Sequence, residues 1–148
     1  MMTLRSNKTD FISKHDIFKS FMIILHQVKR IYMIDYIKGR IVEITPTDMV
    51  LECYGIGYKI LISLQTYEAL HKQADSTVYI HHYLREDEEL YYGFATKDER
   101  ELFRLLIGVS GIGASTARMM LSSLYSDEIR NAILAEDINK IKSIKGIG

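Results

Sequence analysis

The spacing of apolar residues changes twice along this chain, near residue 33 and near residue 96, and the changes mark three segments. In the first, Ile17, Phe18, Phe21, Met22, Ile24, Leu25 and Val28 fall roughly on one helical face while Lys14, Lys19 and Lys29 lie off it, the pattern of an amphipathic helix. From Met33 the period becomes strand-like. Tyr36–Ile44 is rich in β-branched residues, and Thr45-Pro46-Thr47-Asp48 supplies a turn. Met49–Tyr54 reads as a second strand, Gly55-Ile56-Gly57 as a tight connection and Tyr58–Ser63 as a third strand. A short helix or turn at Gln65–His71 precedes two more strands, Thr77–Leu84 and Leu90–Phe94, joined by Arg85-Glu86-Asp87-Glu88-Glu89. Five short strands in succession with one helical interruption point to a small closed or partly closed barrel.

At Thr96 the period becomes helical. Thr96-Lys97-Asp98-Glu99 matches a capping box, in which a threonine side chain and a glutamate three residues on satisfy each other's amides. Leu102, Phe103, Leu106 and Ile107 follow at helical spacing, so a helix is predicted over about 97–107. Gly108–Gly113 interrupts it and Ala114–Leu124 resumes it. Ser126-Asp127-Glu128 opens a third helix with acids in its first turn, where the helix dipole favours them, and Ile138–Ser143 forms a short fourth. The segment also repeats itself: Leu106-x-x-Val109-x-Gly111-Ile112-Gly113 returns 35 residues later as Ile141-x-x-Ile144-x-Gly146-Ile147-Gly148.

Composition narrows the function classes. The chain has 148 residues, one Pro and one Cys, so neither a disulfide framework nor a cysteine-based zinc site can be built within it. Its longest uninterrupted apolar run, Phe21–Leu25, is far shorter than a membrane span. A signal peptide would need a longer apolar core and a small-residue cleavage site. The first segment therefore reads as a weakly structured extension, with a membrane-surface helix as the other reading. Charge is balanced at nineteen Lys+Arg and nineteen Asp+Glu, but residues 1–32 hold six bases against two acids, so the remainder carries four more acids than bases. The body advertises no bulk polycationic surface.

A Gly-x-Gly turn between helices lets a partner's backbone approach closely and leaves the first amides of the following helix pointing outward. With the positive end of the helix dipole they make an anion site, and phosphate is the usual anion. Such a site needs no excess of lysine. A dinucleotide fingerprint would want Gly at Thr116 and a preceding strand, and there is no Gly-Lys-Ser/Thr phosphate loop. Read alone, Gly111 and Gly113 could simply turn a helix hairpin; duplication favours phosphate.

Other groups are weaker candidates. His81 and His82 adjoin on a strand and so face opposite sides, unable to share a metal. Cys53, with no histidine at a useful spacing, reads as a buried core thiol. The ten tyrosines, Tyr91 and Tyr92 among them, are possible stacking platforms for single-stranded bases, though in a barrel without Trp such residues more often fill the core. The acids at Glu86–Glu89 read as a solvated hairpin tip unless a partner meets them.

From Met33 onward the chain resembles the RuvA family of DNA-binding subunits from the bacterial Holliday junction branch-migration machine. The resemblance rests on Met33-Ile34 with Gly39-Arg40-Ile41, Gly55-Ile56-Gly57-Tyr58, Arg85-Glu86-Asp87 with Leu90-Tyr91-Tyr92-Gly93-Phe94, Glu99-Arg100-x-Leu102-Phe103, and the two Gly-Ile-Gly turns, all in order over 116 residues. It implies a five-stranded oligonucleotide-binding (OB-fold) barrel over 33–95 and an all-α helix-hairpin-helix domain over 96–148, with 1–32 outside the family pattern. Phosphate contacts are then expected at Gly111, Ile112, Gly113, Ala114 and Ser115 and at Gly146, Ile147 and Gly148, and Glu86 and Asp87 become an acidic pin at the centre of a junction.

The implied protein is cytoplasmic and non-enzymatic, needs no cofactor or metal, and forms a homotetramer on four-way junction DNA. Its implied partners are the RuvB ATPase motor and the RuvC resolvase. The sequence departs from the family pattern in three places. Ala114-Ser115 stand where Pro-Lys is usual, and Lys145 where Pro usually precedes Gly146. The family normally begins at the equivalent of Met33, which suggests a mis-assigned start. The sequence also ends at Gly148, before the rest of the second hairpin and the motor-gripping domain, so motor coupling is expected to be lost. The competing readings are a protein-interaction module whose glycine turns are structural and a single-stranded DNA binder.

Overall fold

The structure is a computed structural model and describes His15, Phe18 and Lys19 together with residues 33–135 and 137–142. The amphipathic pattern of residues 1–32 and the second turn, Gly146-Ile147-Gly148, lie outside the described residues. Five strands, β1 (Tyr36–Ile44), β2 (Asp48–Cys53), β3 (Ile56–Ile62), β4 (Asp75–Leu84) and β5 (Glu89–Phe94), close into a barrel in the order β1-β2-β3-β5-β4. Helix α1 (Leu64–Leu70) connects β3 to β4. After β5 come α2 (Lys97–Ile107), α3 (Ala114–Ser123), α4 (Ser126–Leu134) and α5 (Ile138–Lys142). The barrel and these helices pack as one compact unit.

Closure depends on β1 serving two neighbours. Its first half pairs antiparallel with β4, Tyr36 opposite Tyr79 through Arg40 opposite Asp75, and its second half pairs with β2 across a bulge between Ile41 and Glu43. At the changeover the strands come so close that a Cβ on Gly39 would sit 2.1 Å from the Glu52 carbonyl oxygen. Only glycine fits there. The one parallel contact, Leu61 and Ile62 of β3 against Tyr92 and Gly93 of β5, follows from the α1 and β4 excursion between them.

Strand alternation sorts side chains into two cores. Ile37, Met49, Leu51, Ile60, Ile62, Val78 and Ile80 fill the barrel, with Leu70 of α1 against them. On β5, Gly93 turns into the barrel, whereas Tyr92 and Phe94 turn outward onto Leu102, Phe103 and Leu106 of α2 and Ala117, Met120 and Leu121 of α3. Phe103, fully buried, touches the rings of His81, Tyr92 and Phe94 at 5.0–5.3 Å between centroids. Each such apolar side chain contributes roughly 1.5–3 kcal/mol on burial. This second core holds the helices to the barrel.

Three expectations are corrected. The β2–β3 connection is Tyr54-Gly55, both at positive φ (49° and 82°), while Cys53 pairs with Ile56 and Gly57 already lies within β3. Two positive φ values in a two-residue loop are what an I′-type hairpin needs to match strand twist. The capping box at α2 is only half formed. The Thr96 hydroxyl accepts from the Glu99 amide at 3.1 Å, but the Glu99 carboxylate turns away to accept bonds from the buried Ser63 and Thr66 hydroxyls. Cys53 is half-buried at the edge of the barrel core rather than within it.

Candidate nucleic-acid interface

The α2–α3 turn is built from short-range bonds. The amide of Gly108 donates to Leu105 O, that of Val109 to Leu106 O and that of Ile112 to Val109 O, at 3.0–3.2 Å. Ile112 packs half-buried against the helical core and anchors the turn. Gly111 sits at φ +87°, a left-handed conformation that disfavours any side chain. Gly113, the residue preceding α3, has φ −83° and ψ 171°, which any residue adopts. A Cβ added to it would meet nothing within 4 Å, so neither backbone nor packing within the molecule requires glycine at 113.

No side chain caps α3. The first intrahelical bond from this end is Ala117 N to Gly113 O at 2.9 Å, leaving the Ala114, Ser115 and Thr116 amides without intrahelical acceptors. Ser115 is exposed and Ala114 is turned into the core. An uncapped helix start beside an open glycine can receive an anionic oxygen without displacing a side chain.

The barrel fixes the direction in which this start points. Ala114, Ala117, Met120 and Leu121 line the buried face of α3. Arg118 Nη1 donates to Thr47 O (2.9 Å) and Ile62 O (3.1 Å) of the barrel. Farther along, the Leu64 amide donates to Ser122 Oγ, and Gln65 Nε2 donates to the carbonyls of Leu121 and Leu124. The sequence reading singled out neither Arg118 nor Gln65. The available signal was a charge at position 118 inside an apolar i, i+3, i+4, i+7 stripe running from Ala114 to Leu121.

The acidic hairpin lies between β4 and β5. Its loop, Arg85–Glu88, is closed by a 2.8 Å bond from the Arg85 amide to Glu88 O, and Glu86, Asp87 and Glu88 are exposed. The Arg85 guanidinium rests over the Tyr83 ring, 5.1 Å from its centroid. Glu89, expected at the tip, belongs instead to β5. It accepts from Tyr91 Oη at 3.3 Å and lies 2.8 Å from His82 Nε2, whose ring stacks on Tyr91. The tip thus carries three acids, and the fourth is paired with the barrel.

His81 is buried against Phe103 while His82 lies beside Glu89, so the two rings do face opposite ways. Tyr92 is buried in the helix-facing core and Tyr91 is half-buried against His82 and Tyr58; burial pushes both phenols above the usual tyrosine range. Tyr92 is thus closed to bases, and one face of the Tyr91 ring is taken by His82. Among the described residues no three His, Cys, Asp or Glu side chains gather to hold a metal, and no helix is long and apolar enough to cross a membrane.

A closed five-stranded barrel of OB type running into short helices joined by a Gly-x-Gly turn defines the class: an oligonucleotide-binding-like barrel with a helix-hairpin-helix region attached. Residues 33–93 match the RuvA N terminal domain family, and residues 103–148 match the SAM-like helix-hairpin-helix tandem. The chain belongs to the RuvA family. It is 53% identical over 116 residues to the Holliday junction branch migration complex subunit RuvA of Christiangramia forsetii, covering 78% of this chain and 60% of that protein. Identity to the subunit of the same name from Bacteroides fragilis is 52% over 116 residues, covering 78% of this chain and 58% of the relative. For Parabacteroides distasonis it is 56% over 101 residues, covering 68% and 52%. The chain thus spans about three-fifths or less of the length of these relatives.

Proposed function

We propose that this chain is a non-catalytic, structure-specific DNA-binding subunit that holds four-way junctions in recombination and repair. The observation that carries the reading is Gly113: glycine stands where the fold does not need it, directly before an uncapped helix. A phosphate lying against that backbone supplies the missing reason. Ala114 and Ser115 offer amides to the same phosphate, Ser115 adds a hydroxyl, and Gly111 and Ile112 shape and anchor the turn. Gly146, Ile147 and Gly148 repeat the motif in sequence and are read as a second phosphate contact. Residues 33–95 act as the platform and 96–148 as the gripping domain.

Glu86 and Asp87 form the acidic pin. In a homotetramer, four such tips meet where the junction arms cross and disfavour continuous duplex through the centre. The relatives are named as subunits of a Holliday junction branch migration complex, which supports assembly into such a complex. From the family resemblance we carry over a RuvB-type ATPase motor as the source of any ATP-driven movement, a RuvC-type resolvase as a further partner, and a cytoplasmic setting. The test is a gel shift comparing a four-way junction of synthetic oligonucleotides with linear duplex and with poly-dT. Preference for the junction is expected. Equal binding to all three, or none, overturns the reading, and preference for poly-dT transfers it to single strands.

A further inference from the structure

Helix α3 is held to the barrel differently at its two ends. The buried face of its first turn is Ala114 and Ala117, whose methyl groups allow close approach but give little resistance to rotation about the helix axis. The next residue on that side, Arg118, reaches two carbonyls that belong to different parts of the barrel. Thr47 lies in the β1–β2 turn and Ile62 ends β3, and the Ile62 amide itself donates to Thr47 O at 3.0 Å. One guanidinium nitrogen therefore ties the start of α3 to a point where two barrel segments are already joined.

Arg118 makes no ion pair among the described residues. The Asp48 carboxylate, which feels its charge, is taken by Lys59 Nζ at 2.6 Å, and that bond is the main cause holding Asp48 below the usual aspartate range. Its Nη1 gives both of its bonds to backbone oxygen, while the buried Nε has no hydrogen-bond partner. A planar group bonded at fixed angles sets an orientation, which a lysine's rotating ammonium does less well.

We propose that Arg118 is the positioning residue for the phosphate-binding turn: by fixing the rotation of α3 against the barrel it aims the Ala114, Ser115 and Thr116 amides. This rests on the reading of that turn as the DNA contact. The experiment compares the full 148-residue chain with Arg118→Leu, Arg118→Lys and Gly113→Val, measuring affinity for a synthetic four-way junction across a salt series and amide hydrogen exchange without DNA. Arg118→Leu is expected to bind about ten-fold more weakly, the scale of one lost charge-assisted bond. Its salt dependence should be unchanged, because mis-aimed amides carry no net charge and release no fewer ions. Exchange should quicken at residues 117–121, whose amides are bonded along the helix, and stay as it was in the barrel. Arg118→Lys should fall between wild type and the leucine variant.

A salt slope lower by about one ion would make Arg118 a direct phosphate contact and overturn the proposal. Unchanged affinity, or exchange that quickens throughout the barrel, overturns it too. Should Arg118→Leu fail to fold, the lysine variant decides: wild-type affinity and wild-type exchange at 117–121 sink the idea. If Gly113→Val binds junctions as well as wild type, it is the DNA reading of the turn that fails. If Gly113→Val weakens binding and the Arg118 variants do not, only the positioning role fails.

Discussion

Two exposed turns of this molecule are built in opposite ways. Gly108–Gly113, between α2 and α3, carries no charged side chain and leads into a helix whose first amides lack acceptors. Arg85–Glu88, between β4 and β5, closes its own amide on Glu88 and projects three carboxylates into solvent. Side-chain charge alone would say that one is indifferent to DNA and the other hostile. Backbone geometry changes the first half of that statement: the neutral turn leads into unbonded amides at the positive end of a helix dipole, an arrangement that suits an anion. Under the proposed function, a body with more acids than bases would hold DNA at chosen points and repel it at another, and that arrangement would distinguish a junction from a plain duplex.

The largest expected effect breaks the attractive turn. Gly113→Val should weaken binding to junction and linear duplex alike by about ten-fold or more, since phosphate contacts position without reading sequence. Because a Cβ there meets nothing within 4 Å and φ is ordinary, folding should change little, by no more than about 1 kcal/mol for a poorer helix-preceding residue. Gel shifts paired with thermal melts separate the two effects. A variant that melts much earlier and binds normally once folded would make Gly113 a structural glycine.

Next comes the repulsive turn. Glu86→Gln with Asp87→Asn removes two of the three tip charges and should strengthen binding severalfold to both DNA forms while narrowing the preference for junctions, since like-charge exclusion acts mainly on the unwanted geometry. Titrating both ligands at one salt concentration checks it. If neither the affinities nor their ratio move, the tip is an ordinary solvated turn. Glu89 should matter less to this ratio than its sequence position suggests, because His82 and Tyr91 already engage it.

How much of this was legible in the chain depended on the range of each interaction. The five strands and the helices flanking Gly111–Gly113 follow from local periodicity. Residue chemistry permits the left-handed conformation of Gly111 but does not dictate it, since Gly113 two residues on has an ordinary φ. The β2–β3 turn reads from sequence as starting one residue late and ending two late, because two glycines flank Ile56 and only pairing with β2 decides between them. Glu99 looked like a helix cap because its sequence neighbour Thr96 is three residues away, while its actual partners, Ser63 and Thr66, lie more than thirty residues upstream. Arg118 was missed for the same reason, its acceptors being 71 and 56 residues distant.

A smaller change sharpens the attractive turn. Ser115 is exposed on the first turn of α3 and can give a phosphate only a hydroxyl bond. Ser115→Lys places a mobile cation beside the amides, and its charge should tighten binding to both DNA forms and steepen the salt dependence by about one ion. The comparison predicts that the junction-to-duplex ratio stays close to wild type, because that ratio belongs to the acidic tip. A slope that does not move would place position 115 away from the phosphate.

The smallest expected effect tests the frame between the two turns. Glu99 sits at the start of α2, just after β5, and bonds Ser63, which caps α1, and Thr66 within α1. Burial, the largest influence on it, pushes its carboxyl above the usual glutamate range, and the two hydroxyl bonds only partly oppose that shift. Between the ordinary glutamate value and the raised one, the folded chain holds a proton that the unfolded chain has released. The native state then binds more protons, so stability falls as pH rises through that window and the loss is complete above it. Glu99→Gln keeps an amide oxygen to accept from the same hydroxyls and has no charge to bury. Its stability relative to wild type should therefore rise with pH across the window and level off on either side, while other carboxylates cancel in the difference. Urea unfolding of both proteins at a series of pH values measures this, with junction affinity expected to stay unchanged at neutral pH. If wild type instead gains on the variant as pH rises, the bonds from Ser63 and Thr66 outweigh burial and the ionised carboxylate is the form that the barrel–helix joint is built around.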